Sequence, residues 1–119
     1  MQIHLIHVNG IALAEIISDK IEIRNAQDAL DIMANCGYQG AERIILYEKN
    51  IVPEFFDLKT GIAGEILQKF SNYHMQLALV GDYSKYFGKS LSDFIFESNK
   101  QGRINFTGSL EEAKEKLIR

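Results

Sequence analysis

The chain is 119 residues long, room for one domain rather than two. Hydrophobic residues make up 46% and charged residues 24%, enough apolar surface to offset chain entropy, which argues against a disordered chain. The net charge of −3 is mild, and Arg24, Arg43, Arg103 and Arg119 are scattered, so no basic stripe exists to neutralise phosphates and a nucleic-acid partner is not expected.

Residues 2–8 read as a strand, with Ile3, Leu5 and His7 on one face and His4, Ile6 and Val8 on the other. Asn9-Gly10 then joins this run to a second strand at 11–17, the strongest short-range signature of an antiparallel hairpin. A helix begins near Asn25, whose side chain can cap it, with Asp28 three residues on. Ala26, Ala29, Leu30 and Met33 form its apolar stripe, Cys36 lies on the same side as a buried thiol, and Gly37 supplies the stop.

The run RIILYE at 43–48 is a third strand, apolar enough at its centre to be covered on both faces. A loop carrying Pro53 leads to a helix near 60–74, with Ile62, Ala63, Ile66, Leu67, Phe70 and Tyr73 inward. QLALVG at 76–81 is a fourth strand. A helix near 90–100 follows, with Ser90 and Asp93 as a capping box. RINFT at 103–107 is a fifth strand, and Ser109 with Glu112 opens a last helix through Ala113 and Leu117. The order ββαβαβαβα predicts a single α/β domain: a mixed, mostly parallel sheet opened by an antiparallel hairpin.

Several chemistries lack their residues. There is no phosphate-binding G-x-x-x-x-G-K-[ST], no dinucleotide G-x-G-x-x-G and no G-x-S-x-G nucleophile elbow. A phosphoacceptor receiver needs carboxylates after its first strand, where this chain has Val8-Asn9-Gly10. His4, His7 and His74 are too dispersed to form a ligand set, and Cys36 stands alone, so neither metal nor cofactor is expected. No basic leader opens the sequence and no apolar run approaches the roughly 20 residues of a membrane helix, so a cytoplasmic location is the expectation.

Two polar loops are expected to meet at the carboxyl ends of the parallel strands, where open α/β sheets bind ligands. Loop 48–61 carries Asp57, Lys59, Thr60 and Gly61; loop 81–90 carries Asp82 and Ser84. Thr60 stands where the second helix should start. There a hydroxyl caps a free amide, or accepts a phosphate whose charge the helix dipole stabilises. Asp57, Asp82 and Ser84 read as turn residues or as polar contacts to a ligand.

The stretches FFDLKTGIAGEILQKFSNY and LALVGDYSKYFGKSLSDFIFESN resemble a bacterial family of small domains of unknown function. More distantly, the element order resembles the STAS domain of anti-sigma factor antagonists, in which a D-S-S-G motif carries a phosphorylatable Ser at the start of a helix. The matching stretch here is Asp57-Leu58-Lys59-Thr60-Gly61, one residue longer and with Thr in place of Ser. That resemblance implies a STAS-like fold and a non-catalytic regulatory domain acting through a protein partner, with Thr60 as phosphoacceptor and Asp57, Lys59, Gly61, Asp82 and Ser84 on the binding face. The alternative is a small-ligand-binding domain or modest enzyme using the crevice between the two loops. Self-association as a homodimer through the edge of the N-terminal hairpin is a third expectation.

Overall fold

The computed structural model describes residues 1–119. Its elements follow the predicted order: β1 (Gln2–Val8), β2 (Ile11–Ile17), α1 (Ala26–Tyr38), β3 (Arg43–Tyr47), α2 (Ile62–Asn72), β4 (Gln76–Val80), α3 (Lys89–Gln101), β5 (Ile104–Thr107) and α4 (Leu110–Leu117). Three 3-10 turns lie between β3 and α2, at Glu48–Asn50, Pro53–Phe56 and Leu58–Thr60. No helix is long and apolar enough to cross a membrane.

β1 pairs antiparallel with β2 from Gln2↔Ile17 to Val8↔Ile11. Asn9 (φ 52°) and Gly10 (φ 79°) are both left-handed, the type I′ geometry whose twist matches that of the strands it joins. β2, β3, β4 and β5 then lie side by side and parallel, giving the sheet order β1-β2-β3-β4-β5.

Because the order never reverses, right-handed crossovers carry α1, α2 and α3 to one face of the sheet. Ile32, Ile66 and Leu91 of those helices share a core of 22 buried residues with Ala14, Ile44, Leu77 and Ile104. On the other face Ala113 and Leu117 of α4 complete a core of only 6 with Leu13, Ile45, Ala78 and Val80, since one short helix covers little of a five-stranded sheet. The strand order does not reverse, so the sheet has no switch point of the kind at which helices part to opposite faces.

The caps are partly as predicted. Asn25 Oδ1 accepts the Asp28 amide at 2.9 Å, and Ser109 Oγ accepts that of Glu112 at 3.1 Å. α1 does not stop at Gly37, which lies within its last turn; Gly40, at φ 94°, turns the chain. The Ser90–Asp93 box does not form. Gly88, at φ 119°, admits the chain to α3 with Lys89 as its first residue, so Ser90 is already helical, and Asp93 pairs with Lys89 at 2.9 Å. Tyr73 is not a core residue: it follows the last turn of α2 and is 61% exposed.

Candidate functional site

The strand register builds the centre of the site. Tyr47 and Val80 are paired, so the next residues, Glu48 and Gly81, emerge side by side from β3 and β4. A Cβ on Gly81 would lie 2.6 Å from Glu48 Cβ and 2.8 Å from Glu48 Oε1; only glycine leaves room for this carboxylate. Glu48 Oε2 accepts the Tyr86 hydroxyl and lies 2.8 Å from Lys85 Nζ, with the Glu48 side chain 11% exposed. Tyr86 stacks on Phe56 with ring centroids 4.2 Å apart, and Tyr83 packs edge-on against Phe106 while its hydroxyl donates to Leu79 O at 2.8 Å. Burial, then the hydrogen bond to Glu48 and its charge, push the Tyr86 phenol upward; burial chiefly does the same to Tyr83.

This clamp fixes the loop between β4 and α3 up to the residue before Phe87, and Phe87 itself points out, 90% exposed. Beside it a cavity of about 460 Å³ opens between the Leu58–Thr60 turn and the start of α3. Asp57, Lys59, Lys89 and Ser90 supply its polar lining, and Phe56, Leu58, Phe87 and Leu91 its apolar lining. The two predicted loops therefore do meet, with their shared space in the helical layer and no strand residue lining it. α3 begins there with Gly88 as its cap and no side chain bonded to its first amides.

The predicted site residues divide between this cavity and its margins. Asp57 and Lys59 line it; Asp57 also starts the 3-10 turn by accepting the Lys59 amide at 3.3 Å. Thr60 ends that turn and is exposed, one residue further from the helix than expected. Gly61, at φ 78°, occupies the cap position of α2 without a side chain. The Thr60 hydroxyl does the capping instead: it accepts the Ile62 amide at 3.2 Å, with Glu54 O and Asp57 O each 2.9 Å away as acceptors for its proton. Asp82 and Ser84 satisfy each other. Asp82 Oδ1 accepts the Ser84 hydroxyl at 2.7 Å and its amide at 3.0 Å, and these bonds hold the Asp82 carboxyl below its ordinary value.

A family model described as "Domain of unknown function (DUF4180)" matches residues 8–117. The chain belongs to that family. No curated protein and no solved structure matches it. β1 lies almost wholly ahead of the span that defines a DUF4180 domain here.

The clamp of this DUF4180 domain was not found by reading side-chain types along the chain. Its signal is a pair of strand ends, Glu48 after RIILY and Gly81 after QLALV, and that pair has meaning only once β3 and β4 are in register. A second buried carboxylate was also missed. Glu15 is 6% exposed on the α4 face, accepts the Tyr47 hydroxyl at 2.6 Å and lies 3.4 Å from His4 Nδ1. Burial, then the hydrogen bond and charge of Glu15, push the Tyr47 phenol up to about 12.

Proposed function

We propose that this DUF4180 domain is a non-catalytic protein-interaction domain whose binding face is the α3 entry loop and the neighbouring Asp57–Thr60 turn. The observation that carries this reading is Phe87, 90% exposed on a loop pinned by Glu48, Tyr86 and Phe56. A large apolar side chain held out by rigid neighbours loses little freedom on binding, which is the character of an interface anchor. Lys59 and Lys89 in the adjoining cavity supply polar contacts around that anchor.

The STAS-like reading is consistent with the strand order, the opening hairpin and a hydroxyl-glycine pair, Thr60-Gly61, between β3 and α2. On that reading Thr60 is a regulatory phosphoacceptor. A phosphate there would sit at the start of α2, beside Lys59, and would reverse the charge of the face.

A photo-crosslinking residue at position 87, with one at the equally exposed Tyr38 as control, tests the face in native cells. A discrete product from position 87 that Lys59→Glu weakens is expected; the same products from both positions would sink the reading. Intact-mass analysis of the same cells reads the switch. One added phosphate that vanishes in Thr60→Ala is expected, and its absence across growth conditions removes Thr60 from the proposal.

A further inference from the structure

The two edges of the sheet are finished differently. β5 has 4 residues, and Asn99 of α3 bonds its outward Phe106 amide at 2.7 Å. β1, at the other edge, has 7 residues, and its only side-chain hydrogen bond links His4 to Glu15 on the face of the sheet. The Asn9-Gly10 turn makes Val8 and Ile11 a hydrogen-bonded pair, and bonded and non-bonded pairs alternate along the ladder. The N–H and C=O groups of Ile3, Leu5 and His7 therefore point away from β2. Edge strands are ordinarily guarded by proline, lysine, a bulge or an inward charge. QIHLIHV has no proline, lysine or acidic residue, and it pairs with β2 residue for residue, without a bulge.

We propose that β1 pairs antiparallel with β1 of a second copy about a two-fold axis at Leu5, joining the two sheets into one. The strand's own sequence fixes that register. With Leu5 at the centre, Ile3, Leu5 and His7 of one copy face His7, Leu5 and Ile3 of the other, so every outward amide meets an outward carbonyl. The same register sets His4 against Ile6 and no histidine against another. A centre at His4 would oppose the two His4 rings and set His7 against Met1, outside the strand; a centre at Ile6 would set Ile3 against Asn9 of the turn. Ile3 and Leu5 lie on the helical face, half-buried at the margin of the larger core. Pairing lays Leu5 against its own copy and covers that margin with apolar surface. With no Asp, Glu, Lys or Arg in β1, no fixed like charges meet across the seam. The contact is isologous and closes on itself, and the Asn99 bond at β5 leaves no second open edge for further copies. A seam of one strand from each copy is small for a stable interface, so the pair forms and dissociates with concentration. The Phe87 loop follows β4, three strands from the seam, and takes no part in it.

Sedimentation of the full chain across a concentration series, with amide exchange followed residue by residue at both ends of the series, tests it. The expected result is a mass that doubles and stops there. The amides of Ile3, Leu5 and His7, which have no acceptor inside the chain, should exchange at least about tenfold more slowly in the pair than on dilution. His7→Pro is the variant to pair with this measurement. His7 is exposed and its N–H points away from β2, so proline there costs the chain no hydrogen bond, while its ring projects into the place of the partner strand. It should be a folded monomer at every concentration. A wild type that stays monomeric, a mass that climbs past the dimer, free exchange of the three amides where the mass has doubled, or a folded His7→Pro that still pairs overturns the proposal. Should His7→Pro fail to fold, the wild-type exchange series decides by itself. A wild type that is monomeric alone and protected at these amides only in a lysate of its native cells overturns self-pairing in favour of another protein's strand.

Discussion

Gly81 and Glu48 illustrate how one residue's identity follows from another's position. The glycine has ordinary backbone angles, so its requirement is steric: Glu48 occupies the place of a Cβ. Gly81→Ala should push Glu48 aside and break its bonds to Tyr86 and Lys85, at about 1–3 kcal/mol for a forced overpacking. Chemical denaturation measures the cost. Loss of the Tyr86 hydroxyl bond should also loosen the β4–α3 loop, seen as faster amide exchange around Phe87. Local rules did capture Thr60 as the capping hydroxyl of α2, since a side chain within two residues of a free amide needs no tertiary contact to reach it. They misplaced the helix start, because Thr60 ends a 3-10 turn and Gly61 takes the cap position, so that α2 begins at Ile62.

At the level of elements, the free edge of the sheet at β5 is closed by a side chain. Asn99 of α3 accepts the Phe106 amide at 2.7 Å through Oδ1 and donates to Phe106 O at 3.4 Å through Nδ2, imitating a paired strand. Asn99 lies near the end of α3. Asn99→Ala should cost about 1–2 kcal/mol and speed exchange of the Phe106 amide in particular, as expected when a buried donor loses its partner. Asn50 does similar work elsewhere. Its Nδ2 donates to Ser18 O and Lys20 O at 2.9 and 2.8 Å, binding the loop before α1 to the turn after β3. Neither role is visible in the residue itself, since Asn in a polar stretch reads first as a turn former.

For the molecule as a whole, pH links the two polar clusters to stability. Tyr47 is raised to about 12, and Tyr83 and Tyr86 are raised further, from the ordinary phenol value of about 10. A raised folded-state value means that the unfolded chain releases these protons first. The stability they contribute is whole below about pH 10 and is lost as pH rises through the folded values. The denaturation midpoint should therefore fall steadily above that pH, and Tyr47→Phe should flatten part of the fall. A midpoint unchanged up to the alkaline limit would show the phenols to be freely ionisable in the fold.

The sequence by itself determined the element order, the Asn9-Gly10 hairpin and the Asn25 and Ser109 caps. Each depends on periodicity or on side chains bonding amides a few residues away. Only the tertiary structure decided that the strands lie in sequential order with three helices on one face, which set the cavity between the two polar loops in the helical layer. It alone joined Glu48 to Tyr86, 38 residues apart, and Glu15 to Tyr47, 32 apart. Contacts over such separations are set by strand register and crossover hand, and no local pattern encodes either. The exposure of Phe87 is a consequence of that same assembly.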